Sequence, residues 1–337
     1  TTLPILANIL IEAKGSKAKI TATDLDIIYS EDVLVEEINT EGSTTTSASV
    51  LYDILRKLEP NAKVELFLQS ENKLKLTSGN SKFNLLCISS NNFPVSNEDF
   101  VSENFQISSQ KLLKLLNKAK ISISSDETRH YLNGIYFHKT KIQNQSFLTG
   151  VATDSHRLSS SSLEIDENIN FESIILPKKT VYQLISLLEQ ITQNIKISNN
   201  KSKVKFETNN GVLISKVIDG RFPDYTKVVP RDNDKILQIK LNEFKNSIER
   251  VTTVSLDRKE GLRMNIKKDS LELSVNSPNS GEGVENINSK FNSDEMSVSF
   301  NSKYLIDISS QIENETIVLN LKEAGSPVLI RDLSDKN

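Results

Sequence analysis

The chain has 337 residues, 37% of them hydrophobic and 25% charged, with a formal net charge of −3. That length suits two domains or three smaller ones; no run reaches the roughly 18 apolar residues of a membrane span, and no charged-then-apolar leader opens the chain, so a cytoplasmic protein without a membrane partner is expected. The single cysteine, Cys87, excludes an internal disulfide and a cysteine-based zinc site, and the acidic balance argues against coating nucleic acid with the whole surface while still allowing basic residues on one face.

In chain order, the first marked element is a strand ending in Ile20-Thr21-Ala22-Thr23-Asp24. Ser47 to Leu58 has apolar residues at i, i+3, i+4 and i+7 and reads as a helix. Lys73 to Leu76 alternates as a strand, Ser78-Gly79-Asn80 turns, Phe83 to Ile88 is a second strand, and Asn91-Asn92-Phe93-Pro94 closes the stretch. Cys87 within that alternation reads as a small core residue. Ser109 to Ile121 is the next helix, followed by the loop Asp126 to Tyr131 and a strand over Leu132 to His138. Another strand ends in Ala152-Thr153-Asp154, and a helix covers Lys178 to Gln190. Lys203 to Phe206, the turn Asn209-Asn210-Gly211 and Val212 to Ile218 then lead into Asp219-Gly220-Arg221-Phe222-Pro223. There Gly220 tolerates a positive φ and Phe222-Pro223 forces an extended exit. Helices over Asn242 to Val254 and Ser302 to Glu313 bracket strands at Leu271 to Asn276 and Met296 to Phe300.

Both markers recur. The Thr-Asp strand ends and the Phe-Pro pairs each return after roughly 130 residues. The helices at 47–58, 178–190 and 302–313 match one another, and so do those at 109–121 and 242–254. Three units are therefore expected, 1–103, 104–234 and 235–337, the first lacking its opening strand and helix and the third its last strand. The fold class is α+β, each complete unit packing two helices on antiparallel sheet. Three such units make a tandem array, not one core with a catalytic cleft.

The charges separate by element. In the helix 109–121, Lys111, Lys114 and Lys118 share a face opposite Leu112, Leu113, Leu115, Leu116 and Ala119. Arg56 and Lys57 end one helix and Lys178 and Lys179 begin another, while Glu31, Asp32, Glu36, Glu37, Glu41, Glu164, Asp166 and Glu167 fall on strands and loops. A surface basic on its helical side attracts a polyanion from one direction. Arg129, His130 and Tyr131 can add contacts to a phosphate backbone.

Nothing points to covalent or metal chemistry. Asp154-Ser155-His156-Arg157 holds the letters of a Ser/His/Asp set, but neighbours in an extended chain point to alternating sides and cannot converge. His130, His138 and His156 lack metal-ligand spacing, and no phosphate-cradling glycine motif occurs. The expectation is no catalytic residue, no metal and no cofactor.

Thr2-Leu3-Pro4-Ile5-Leu6, Thr23-Asp24-Leu25, Tyr131-Leu132-Asn133-Gly134, Ala152-Thr153-Asp154-x-His156-Arg157-Leu158 and Asp219-Gly220-Arg221-Phe222-Pro223-Asp224-Tyr225 stand in order along the whole chain. Together they closely resemble the bacterial DNA polymerase III beta subunit, the replicative sliding clamp. The resemblance implies three clamp-type domains per chain and a head-to-tail homodimeric ring with helices lining the hole around duplex DNA. It implies a non-enzymatic processivity factor whose partners are the replicative polymerase's catalytic subunit, the clamp loader, and other polymerases and repair proteins that bind through short linear motifs. Its peptide cleft maps to Leu132, Thr153, Ser155, His156, Arg157, Leu158, Pro223, Lys227 and Val228. Ser155 stands where glycine is common and Lys227 where arginine is common, and the family's Met-Pro-Met-Arg-like end does not follow Asn337. The DNA-facing set maps to Arg129, His130 and Tyr131, with Arg56, Lys178 and Lys179 joining Lys111, Lys114 and Lys118. The dimer interface maps to Phe83 and Leu85 in the first domain and Thr253 and Val254 in the third. Two rival readings are a monomeric repeat scaffold for protein–protein contacts with no DNA role, and a hydrolase using Asp154 and His156.

Overall fold

The computed structural model describes residues 3–94, 104–255 and 261–333. Thr2, Ser334 and the residues before the expected boundary at 103/104 lie outside the described residues. Contacts divide the chain into two compact units, Thr1–Ala152 with Ser160–Gly220, and Thr153–Ser159 with Arg221–Asn337.

The first unit begins with β1 (Asn8–Lys14), β2 (Lys17–Thr23), β3 (Ile27–Leu34), β4 (Gly42–Ser47), α1 (Ala48–Leu55), β5 (Glu65–Ser70), β6 (Lys73–Ser78) and β7 (Ser81–Ile88). It continues with β8 (Asn104–Ser108), α2 (Ser109–Lys120), β9 (Gly134–Ile142), β10 (Gln145–Thr153), β11 (Leu158–Ile165), β12 (Ile174–Pro177), α3 (Lys178–Leu188), β13 (Asn194–Asn199), β14 (Lys203–Glu207) and β15 (Gly211–Lys216). The second unit holds β16 (Lys235–Lys240), α4 (Leu241–Val251), β17 (Gly261–Ile266), β18 (Ser270–Ser277), β19 (Gly281–Phe291), β20 (Met296–Asn301), α5 (Ser302–Ser309), β21 (Thr316–Leu321) and β22 (Leu329–Asp332).

One module, strand–helix–strand–strand–strand, recurs along this order, from β4-α1-β5-β6-β7 through β16-α4-β17-β18-β19. Each helix starts where a strand ends. Ser47, Ser108 and Asn301 cap α1, α2 and α5 by accepting from Val50, Lys111 and Lys303 amides. In both later repeats the strand before the first helix pairs with the strand after the second, β8 with β13 and β16 with β21. The described ladders are antiparallel. One sheet of the first unit runs β5-β6-β7-β4-β1-β2-β3-β15-β14-β13-β8, so the β3–β15 pairing, Gly211↔Glu31 to Ser215↔Ile27, makes the sheets of the first two repeats continuous.

The alternation read from the sequence is the burial pattern. Leu74 and Leu76 of β6, Val204 and Phe206 of β14, and Leu271, Leu273 and Val275 of β18 point inward while their neighbours do not. Leu112, Leu115, Leu116 and Ala119 of α2 join Val181, Leu184, Ile185 and Leu188 of α3 over Ile135, Leu148, Ile195 and Ile197. Phe244, Ile248 and Val251 of α4 do the same with Leu305 of α5. The first repeat has a smaller core of Ile11, Leu51, Leu74, Leu76, Leu85 and Cys87. Its one α-helix among the described residues, α1, leaves Val50, Tyr52 and Leu55 exposed, and the edge strand β5 exposes Leu66, Phe67 and Leu68.

Three expectations change. Leu132 does not begin a strand: it ends a 3-10 turn, Glu127–Leu132, and the strand starts at Gly134. Gly220 is not among the glycines with positive φ; a Cβ there would sit 3.1 Å from Tyr131 Cβ, so close approach is its reason. The helices end earlier than their periodicity, α1 at Leu55, not Leu58, and α4 at Val251, tightening into a 3-10 turn over Thr252–Val254.

Candidate functional site

The Thr-Asp marker builds the same turn twice. In the first, Asp24 Oδ1 accepts from the amides of Asp26 (3.0 Å) and Ile27 (2.7 Å), and Thr23 Oγ1 accepts from Leu25 N at 3.1 Å and donates to Ile27 O at 2.8 Å. In the second, Asp154 Oδ1 accepts from His156 and Arg157 amides, 2.9 Å each, and Thr153 Oγ1 accepts from Ser155 N at 3.1 Å and donates to Arg157 O at 2.8 Å. This short-range bonding is what Thr and Asp side chains offer a tight reversal.

The remaining carboxylate oxygen is used differently. Asp24 Oδ2 pairs with the Lys179 ammonium at the start of α3. Burial pushes the Asp24 carboxyl up, but Lys179 and the Ile27 and Asp26 amides outweigh it and hold it below its usual value. Asp154 Oδ2 instead accepts from Arg157 Nε at 3.2 Å. Arg157 Nη1 reaches Asp307 Oδ2 on α5 at 2.7 Å, and its guanidinium carbon lies 4.2 Å from the Tyr304 ring centroid. Arg157 is therefore half-buried among partners, its side chain 17% exposed. Asp307 and Tyr304 carried no signal in the sequence beyond sharing a helix face, because Arg157 is 150 residues away.

Within the second unit, Ser155 and His156 are exposed and Leu158 half-buried. Pro223, Lys227 and Val228 are exposed, Lys227 pairing with Asp224 at 3.3 Å in a 3-10 turn over Tyr225–Lys227. Thr226 and Lys227 hold the Asp224 carboxyl below its usual value. Leu132 belongs to the first unit and is buried, 2% exposed.

The basic residues are not equivalent. Lys111 and Lys114 are exposed on α2 and Lys118 is half-buried. Lys178 donates to Ser125 Oγ at 2.9 Å, Lys179 pairs with Asp24, Arg129 with Asp126 at 2.8 Å, and Arg56 with Asp53 at 2.9 Å. His130 Nε2 lies 3.3 Å from Asp219 O, so His130 and Tyr131 pack on the Asp219-Gly220 turn.

Besides the edge strands β5, β8, β11, β12, β20 and β22, two inner strands keep part of one flank open among the described ladders. β7 pairs with β6 along its length but with β4 only through Thr45↔Ile88 and Thr46↔Cys87, leaving Ser81–Leu85 unpaired on that side. β19 pairs with β18 over 281–288 and turns to β16 only from Ser289. Phe83 and Leu85 lie on the first, Leu85 facing the core. Thr253 and Val254 lie in the 3-10 turn that packs beside β19. Gly283 of β19 is needed there, because a Cβ would come within 2.6 Å of Val251 O. Among the described residues, no group of His, Cys, Asp and Glu is placed to hold a metal, and no helix is long and apolar enough to cross a membrane.

Comparison with known proteins agrees along the whole chain. Three family descriptions match in order: the DNA polymerase III beta subunit N-terminal domain over residues 1–97, its central domain over 106–224 and its C-terminal domain over 226–337. The beta sliding clamp of Caulobacter vibrioides is 34% identical over 336 residues, 99% of this chain and 90% of that protein. A DnaN sliding clamp (DNA polymerase III subunit beta) from Bartonella birtlesii bound to griselimycin superposes with a TM-score of 0.95 at 36% identity, covering 100% of this chain and 90% of the other. One from Pseudomonas aeruginosa, also bound to griselimycin, gives 0.92 at 28% identity, covering 99% and 90%. The chain belongs to the DNA polymerase III beta subunit family, the beta sliding clamps.

Proposed function

We propose that this chain is a processivity clamp: a non-catalytic, cytoplasmic protein that closes around duplex DNA and tethers the replicative polymerase. The observation that carries this is the match of all three beta-subunit domains, in order, from end to end. We take the domains as 1–103, 104–234 and 235–337, so that two chains supply six similar domains. Retention on DNA is then topological, which suits a net-acidic protein with weak, sequence-blind phosphate contacts.

The open flanks of β7 and β19 support a head-to-tail dimer, since joining them pairs backbone groups that an isolated chain leaves to water. Lys111, Lys114 and Lys118 of α2 are the leading DNA-facing residues, because they share one helix face and Lys111 and Lys114 are exposed on it. The seat for partner peptides from polymerase, loader and repair proteins is the Thr153–Leu158 turn with Pro223, Lys227 and Val228. His156→Ala tests that seat more cleanly than Leu132→Ala, since truncating a buried leucine costs about 2–5 kcal/mol of packing by itself.

The deciding experiment loads the protein on a nicked circle with a clamp loader and ATP, washes in high salt and then linearises the circle. Release on linearisation is the expected result. Protein that stays bound to the linear DNA would show direct affinity and overturn the topological mechanism.

A further inference from the structure

The two Thr-Asp turns share their backbone but not their wiring. In the first, the turn supplies a carboxylate and the helix a cation, Asp24 to Lys179. In the second the roles are reversed: the turn supplies Arg157 and helix α5 supplies Asp307. Asp154 would hold Arg157 without help, because its Oδ1 is already fixed by the His156 and Arg157 amides and its Oδ2 faces Arg157 Nε. Asp307 adds a second carboxylate to one guanidinium, and Tyr304, three residues earlier on the same helix face, covers the guanidinium's flat side. The trio of Asp154, Arg157 and Asp307 thus carries a net negative charge at a turn whose neighbours Ser155 and His156 are exposed.

An arginine beside a peptide seat is ordinarily a carboxylate receptor, since its planar fork matches two oxygens. Here that fork is filled from within the chain. We propose that Asp307 is a specificity-determining residue acting through Arg157: by occupying the guanidinium it makes the Thr153–Leu158 turn accept apolar, uncharged peptide segments and disfavour a carboxylate. This rests on reading the turn as a peptide seat. Asp307 is a positioning residue in this role and touches no partner itself. Its replacement removes one negative charge beside the guanidinium and opens the Nη1 edge, with Asp154 still on Nε, and deletes no apolar contact, so its signature is a change in preference, not a general loss of binding.

The test uses the full chain and two fluorescein-labelled peptides, Gly-Leu-Gly-Leu-Phe with a C-terminal amide or a free C-terminal carboxylate, in fluorescence anisotropy. The unsubstituted protein binds the amide form more tightly. Asp307→Asn, which keeps the side-chain shape, raises the carboxylate-to-amide affinity ratio about 3–10-fold at low salt, and the gain fades in high salt. Asp307→Glu retains the original ratio. An unchanged ratio in Asp307→Asn, or an equal loss of both peptides, overturns the specificity role. If the unsubstituted protein binds neither peptide nor griselimycin, the peptide-seat reading fails, and the proposal with it.

Discussion

Leu25 and Ser155 hold the same left-handed backbone, φ +77° in each, at matching places in turns on different repeats. Neither side chain is suited to that region, where Cβ crowds the following carbonyl by roughly 1–2 kcal/mol. Glycine removes this crowding and gives back about 0.5–1 kcal/mol of unfolded-state entropy. Ser155→Gly and Leu25→Gly are each expected to stabilise the protein by about 0.5 kcal/mol net. Urea unfolding checks it, and a loss of stability in both would mean that the side chains contribute more than the backbone costs.

Gly134 and Gly150 are the opposite case. A Cβ at Gly134 would lie 2.2 Å from Leu176 O, a backbone atom of the neighbouring strand β12, and one at Gly150 would lie 2.6 Å from Leu115 Cδ2. Gly134→Ala has to push two strands apart, whereas Gly150→Ala needs only a leucine to shift. Both are expected to destabilise, within the range of about 1–3 kcal/mol for overpacking, with Gly134→Ala the worse. Thermal melting of the pair reads the order directly.

Burial pushes the Asp24 carboxyl up, yet Lys179, with the Ile27 and Asp26 amides, holds it below its usual value. A carboxyl depressed in the folded state adds stability that is present above the unfolded value and lost as pH falls through the lower folded value. Lys179→Met should therefore raise the Asp24 pKa and flatten the acid limb of the stability curve below about pH 4. The pair is partly exposed, so screening keeps the effect small. Carboxyl NMR of Asp24 is the direct readout, and an unmoved titration would show that the amides of Asp26 and Ile27 alone set it.

Charge reversal at Lys111 and Lys114 should slow loading on DNA and reduce the salt dependence of DNA contact, while leaving partner-peptide affinity unchanged. Reversal at Arg129 should do less to DNA, because that guanidinium already faces Asp126 at 2.8 Å. Loading rates at low salt, measured side by side, separate the two sets. Equal rates for all variants would remove α2 from the DNA-facing surface.

The amino-acid order by itself determined the alternation of β6 and β14, the apolar faces of α2 and α3, and the recurrence of Thr-Asp and Phe-Pro after roughly 130 residues. Phe93 and Phe222 are both buried, as a repeated packing position requires. These features were legible because a strand's period, a helix's period and a turn's bonding are local. The half-length module, strand–helix–three strands, was not legible: its copies share geometry without sharing residues, because alternation and one apolar helix face are all that the fold demands of each. The 3-10 turn that buries Leu132 and the close approach that explains Gly220 depend on neighbours distant in sequence. So do the partners of Arg157, since a guanidinium between Asp154, Tyr304 and Asp307 exists only once α5 lies against the turn. Tertiary structure decided which charges of the sequence face outward and which were already spent on one another, because an ion pair is set by distance in space and not by separation along the chain.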